Sequence, residues 1–167
     1  MSDRTTGGCQ CGAVRYAFPG ALHDPHICHC RMCQKASGNY FLPLGGVLKS
    51  DLEITRGEVA WYQSSEPVRR GFCRDCGTPL LFDPLAWEGI CIALGSLDDP
   101  SRVPPENQYG TEARMPWLND LHHLPGRETE EDEQQDGTEI SAIRATNHQH
   151  PDHDTDRWPP GDRGEGA

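Results

Sequence analysis

Seven of the eight cysteines in this 167-residue chain fall in three short clusters: Cys9-Gln10-Cys11, Cys28-His29-Cys30-Arg31-Met32-Cys33 and Cys73-Arg74-Asp75-Cys76. Such clustering favours metal ligation over disulfides in a reducing compartment, because closely spaced thiols can point at a single ion from one tight turn. Cys11 and Cys76 are each followed by glycine. A glycine there permits a left-handed turn that aims backbone amides at the thiolates, as in a zinc knuckle.

The simplest partition joins Cys9, Cys11, Cys73 and Cys76 into a closed four-thiolate zinc site. Closed tetrahedral zinc is structural, and its binding free energy becomes folding free energy. Cys28, Cys30 and Cys33 then remain as a set of three. Three protein ligands leave a fourth position open, the arrangement of a catalytic zinc, and a substrate thiol suits that position because the metal holds it as thiolate. The competing assignment is a second structural zinc completed by His23, His26 or His29. His29 ranks last of these, since it lies between two ligands and would point away from their metal. Cys91, in the apolar run GICIAL, is expected to be a packed core residue.

Charge and hydropathy divide the chain in two. Residues 1–125 carry 11 Lys and Arg against 14 Asp and Glu, whereas residues 126–167 carry 4 against 12 and contain no Leu, Val, Phe or Cys. With a mean hydropathy of -0.71 for the whole chain, the last quarter has too little apolar surface to offset the entropy of ordering it. A β domain over residues 7–125 and an acidic disordered tail over 126–167 are expected. The absence of any apolar run of membrane-spanning length or of an apolar leader at the N-terminus predicts a cytoplasmic protein with no membrane association. An acidic chain without a Lys/Arg stripe is a poor partner for nucleic acid.

Within residues 7–125 the pattern is of short alternating segments punctuated by Gly, Pro and Asp. Strands are predicted at 13–18, 40–44, 52–55, 59–63, 68–72, 78–82 and 89–97, with one short helix at 31–36 stopped by Ser37-Gly38. The fold class is therefore all-β with antiparallel sheets. Residues 98–125 are Pro-rich and irregular and are expected to lie ordered across the core. No secondary structure is assigned beyond Gly126.

Four segments together resemble the glutathione-dependent formaldehyde-activating enzyme family, which also includes relatives of centromere protein V: GGCQCGAVRY at 7–16, CHCRMCQKASG at 28–38, FCRDCGTPL at 72–80 and RMPWL at 114–118. The resemblance covers residues 7 to about 125. It implies a tent-like, zinc-braced arrangement of sheets, with a structural zinc on Cys9, Cys11, Cys73 and Cys76 and a labile one on Cys28, Cys30 and Cys33. It further implies a carbon–sulfur lyase that joins glutathione and formaldehyde into S-hydroxymethylglutathione, so the expected partners are a small-molecule thiol and aldehyde. Members commonly carry a histidine nine residues ahead of the tryptophan, where this chain has Gln108. The loops between Gly45 and Val68 are also compact, which opens the substrate to other thiols or aldehydes.

Several further residues carry weaker expectations. Lys35 is either a substrate-carboxylate partner or a solvated surface lysine, and Ser37 and Asn39 are either oxyanion donors or turn formers. Trp117 is expected to plug a core edge. His148, His150 and His153 are expected in a solvated tail, and the run Glu130–Glu133 to keep that tail extended. Two other functions are compatible with these motifs: a non-catalytic zinc module that holds a protein partner, and a thiol redox protein.

Overall fold

In the computed structural model, which describes residues 4–129 and 139–157, mostly β structure surrounds the cysteine clusters. Strands β1 (Arg4–Gly8), β2 (Arg15–Pro19) and β5 (Glu53–Arg56) form a three-stranded antiparallel sheet with β2 at its centre. The second sheet runs in the order β10 (Asn107–Tyr109), β3 (His23–Cys28), β4 (Leu42–Leu48), β9 (Gly89–Ala93), β8 (Pro79–Pro84), β7 (Val68–Phe72), β6 (Ala60–Ser65). A bridge between Gly7 and Leu97 ties β1 to the segment that follows β9.

Burial explains which strands sit centrally. All five residues of β9 are buried, in keeping with the apolar sequence GICIA, and it lies between β4 and β8. Four of the five residues of β2 are buried as well. Tyr16, Phe18, Leu80 and Ile92 form the innermost packing. The Tyr16 hydroxyl lies 2.7 Å from Ser96 Oγ, which satisfies a polar group that burial would otherwise penalise. Asp83, also buried, is neutralised by Lys49 at 2.7 Å and Arg69 at 2.6 Å.

The all-β architecture and the single helix of the cysteine loop agree with the sequence expectation; the helix, α1, spans Arg31–Ser37. Three details differ. The pair β10–β3 is parallel, so the larger sheet is mixed and not wholly antiparallel. The crossover through residues 98–106 brings the chain back to the edge of β3 in the same direction. The segment expected to remain a strand to Leu97 ends at Ala93 and continues as a 3-10 turn over Leu94–Ser96. Residues 98–125 are mostly exposed, and among them Val103 packs against the core.

Part of the C-terminal region, residues 139–157, is described. A short helix, α2 (Ile140–Thr146), is followed by a segment that packs back onto the domain. The His150 amide donates to Gln10 O at 2.7 Å, Arg15 pairs with Asp154 at 2.7 Å, and Arg56 donates to the Thr155 carbonyl and hydroxyl. His150 is buried and not a solvated tail histidine. The physical reason is that this segment is held by hydrogen bonds and charge, which an apolar-content estimate does not register. The run Glu130–Glu133 lies outside the described residues.

Candidate metal centres

Two turns more than 60 residues apart in sequence build the first centre. The loop after β1 carries Cys9 and Cys11, and the loop between β7 and β8 carries Cys73 and Cys76. Gly12 and Gly77 close these turns at φ of 73° and 77°, the left-handed region that glycine occupies without steric cost. The Gly12 amide donates to Cys9 O, three residues back, and the Gly77 amide to Cys73 O, four residues back, so each glycine closes its own turn. The Val14 amide points at Cys9 Sγ, 3.2 Å away.

All four sulfurs lie within 4.8 Å of one another. Cys9 Sγ and Cys11 Sγ are 3.6 Å apart, and Cys11 Sγ and Cys73 Sγ are 3.8 Å apart. A zinc–sulfur bond of about 2.3 Å corresponds to a tetrahedral edge of about 3.8 Å, so the donor set and its spacing fit a zinc ion. Burial pushes the Cys11 and Cys73 thiols up. Burial acts on Cys76 in the same sense but is outweighed by the Thr78 hydroxyl at 3.1 Å and by backbone amides, which bring it down to about 6. That thiol is therefore readily ionised for a cation.

The second centre is local in sequence. Cys28 ends β3, Cys30 caps α1, and Cys33 lies in its first turn, so one strand-to-helix corner gathers all three sulfurs within 4.8 Å of one another. Among the described residues no histidine joins this group. His26 Nδ1 is turned to Asp24 O at 2.7 Å, and His29 points away into the protein, as expected from its place between two of the cysteines. The Cys33 amide faces Cys30 Sγ at 3.4 Å. Burial raises Cys30, but this amide and that of Met32 outweigh it, and the thiol is lowered. Burial pushes Cys28 up to about 12 and raises Cys33, with the Arg70 guanidinium opposing the rise at Cys33. A positively charged ion among the three would offset the cost of burying them as thiolates.

Residues beyond the cysteines complete the corner. Fully buried His29 sets Nε2 3.0 Å from Gln108 Oε1, while its Nδ1 has no hydrogen-bond partner. The Gln34 side-chain amide donates to His29 O at 2.7 Å and to Ala113 O at 3.0 Å. Gly110, at φ 64°, lies so close to the loop that a Cβ there would fall 2.7 Å from the Cys30 nitrogen. Arg70 of β7 reaches to 3.6 Å from Cys33 Sγ. None of the sequence patterns pointed to Arg70 or Gln34, because each contact depends on packing and not on local spacing.

The remaining candidates are placed as follows. Ser37 Oγ donates to Cys33 O at 2.9 Å and Asn39 Oδ1 accepts from the Tyr40 amide, so both act as turn formers. Lys35 is exposed on α1. Trp117 stands edge-on to Tyr40 with ring centroids 4.6 Å apart and remains 40% exposed. Cys91 is buried in β9, outside both groups. No helix among the described residues is long and apolar enough to cross a membrane.

The fold is shared with a crystallised protein from Rhodobacter sphaeroides at a TM-score of 0.51 and 23% identity, over 62% of this chain and 98% of that one. In sequence, the family described as glutathione-dependent formaldehyde-activating enzyme matches residues 4–113, a span that contains, among the described residues, all ten strands and both cysteine groups. By that match the chain belongs to the glutathione-dependent formaldehyde-activating enzyme family.

Proposed function

We propose that this chain is a zinc-dependent carbon–sulfur lyase that adds a thiol to an aldehyde at Cys28, Cys30 and Cys33, with Cys9, Cys11, Cys73 and Cys76 holding a second, structural zinc. The observation that carries this reading is a group of three converging thiols that no histidine joins among the described residues, in a chain of a formaldehyde-activating family. The small molecules are a glutathione-like thiol and a formaldehyde-like aldehyde, and the setting is the cytoplasm, where the thiols stay reduced.

Zinc at the open site would hold the substrate sulfur as thiolate at neutral pH while leaving it nucleophilic. The protein's own groups prepare that position. The start of α1 turns amides of its first turn toward Cys30, which disperses thiolate charge. Gln34 and Gln108 hold the His29 backbone and ring, and so fix the loop that carries all three sulfurs. Addition forms a carbon–sulfur bond and moves the carbonyl π pair onto oxygen. The proton lost by the thiol is balanced by one taken from water by the alkoxide.

The test is to follow adduct formation by exchange NMR with the zinc-loaded protein, glutathione and formaldehyde. Acceleration over buffer is expected. Cys30→Ala should abolish it and lower zinc content while the fold persists. No acceleration with any of several thiols and aldehydes would remove the proposal.

A further inference from the structure

A cleft of about 480 Å³ opens between α1 and the strands β6 to β8, beside the three-cysteine corner. Its walls include Leu42, Leu44, Phe72, Leu81 and Ala93. Leu42, Leu44 and Ala93 also pack in one cluster with Cys28, Cys30 and Cys33, so the cleft and the sulfurs share a wall. Among the described residues no carboxylate lines it, and its charged members are Lys35 and Arg70. Arg70 belongs to both places, since it lines the cleft and carries Nη2 3.6 Å from Cys33 Sγ. Ser64 Oγ accepts from its Nε at 3.3 Å, and its guanidinium lies 4.9 Å from the centre of the Phe82 ring.

A one-carbon substrate would leave most of this cleft unfilled, and a mainly apolar lining with no carboxylate among the described residues offers nothing to the ammonium of a glutathione-like thiol. A one-carbon carbonyl is little larger than a water molecule, whose share of liquid volume is about 30 Å³. The cleft is more than ten times that size and falls within the range of ordinary ligand pockets. Its apolar walls add nothing to the binding of formaldehyde, whereas an alkyl chain would gain from leaving water.

We infer that the aldehyde used by this protein carries an apolar chain of several carbons, which lies in the cleft while its carbonyl oxygen faces Arg70. The inference rests on the thiol–aldehyde reading and names its substrate class. As the thiolate attacks, the carbon–sulfur bond forms and the carbonyl π pair moves to oxygen. The Arg70 guanidinium stabilises that oxyanion by donating hydrogen bonds without giving up a proton, and the alkoxide then takes a proton from water. Charge complementarity favours this orientation, because a developing anion there meets a cation and, among the described residues, no carboxylate.

S-methylglutathione and S-hexylglutathione, unreactive mimics of a short and a long adduct, separate the possibilities when titrated into the zinc-loaded protein by calorimetry. Each buried methylene is worth about fourfold in affinity, equivalent to about 0.8 kcal/mol. A gain of tenfold or more for the hexyl compound is expected, and Ala36→Trp, placed at the exposed rim of the cleft, should erase it. Arg70→Met should lower kcat for hexanal at least tenfold while the hexyl-to-methyl binding ratio persists. Equal or undetectable binding of the two compounds, or a hexyl gain that Ala36→Trp leaves intact, overturns the inference. Formaldehyde turnover without any hexyl gain would sink the cleft assignment and leave the thiol–aldehyde reading standing. A hexyl gain with no turnover of either aldehyde would sink the reading and, with it, the substrate assignment.

Discussion

His29 Nε2 lies 3.0 Å from Oε1 of Gln108, joining the three-cysteine loop to strand β10 across 79 positions of sequence. His29 is fully buried and its other ring nitrogen has no partner, so this contact satisfies the imidazole's remaining polar atom. The parallel pairing of β10 with β3 sets Gln108 opposite Ile27 and Tyr109 opposite Cys28. This chain uses a glutamine to orient a buried histidine.

Gln108→Ala leaves both ring nitrogens of a buried histidine unpaired. The expected loss is about 1–3 kcal/mol of stability, read by urea unfolding of the zinc-loaded protein. A variant as stable as the parent would show that the contact does not hold the loop.

Metal removal should act unequally on the two centres. The four-cysteine centre links turns more than 60 residues apart, so stripping it removes folding free energy on the order of 10 kcal/mol. Circular dichroism during titration with a strong chelator should show loss of β structure as the more tightly held zinc leaves. Cys76→Ala should mimic that loss, whereas Cys30→Ala should not. Retention of the full β signal after removal of all metal would refute the structural assignment.

Arg15 offers a contrast between two carboxylates on one guanidinium. It is 3% exposed and pairs with Asp98 at 2.5 Å and with Asp154 at 2.7 Å, but Asp98 is 12% exposed and Asp154 is 52% exposed. Water screens the second pair far more than the first. Asp98→Asn is expected to cost about 3 kcal/mol, while Asp154→Asn should cost under about 1 kcal/mol. Chemical denaturation of both variants checks the order, and equal losses would contradict it.

Docking of the C-terminal segment should depend on pH through His150. Burial lowers its pKa, and Arg15 and Arg56 lower it further, against the opposing pull of the Pro151 carbonyl and Asp98. The docked form therefore favours neutral imidazole. Its contribution is complete above the free histidine value of about 6.5 and is lost as pH falls below that through the docked value. Tryptic cleavage at Arg144 should accelerate between pH 7.5 and 5.5 after correction for the protease's own pH profile. In His150→Gln that acceleration should be absent; if it persists, another group controls docking.

Legibility in the sequence followed the range of the interactions. The strand at Val68–Phe72 and the helix starting at Arg31 were readable because a short run bounded by turn residues and a glycine stop are local signals. Strands β1, β3 and β10 were not. RTTGG is polar and glycine-rich, HDPHIC contains a proline and a bulge, and NQY is exposed throughout. Such segments become strands only because a neighbour offers an edge to pair with.

The same distinction governs the sites. By itself the sequence determined an all-β chain with four thiols for one group, three for another and Cys91 for the core, because cysteine spacing and a following glycine constrain a metal turn before any tertiary contact exists. Only the tertiary structure decided that Arg70 meets Cys33, that Gln108 meets His29, and that Asp154 returns to Arg15. Those pairs are separated by 37, 79 and 139 residues, and none carries a periodic or spacing signal. They form because folding places their strands and segments side by side and burial leaves few other partners for their polar atoms.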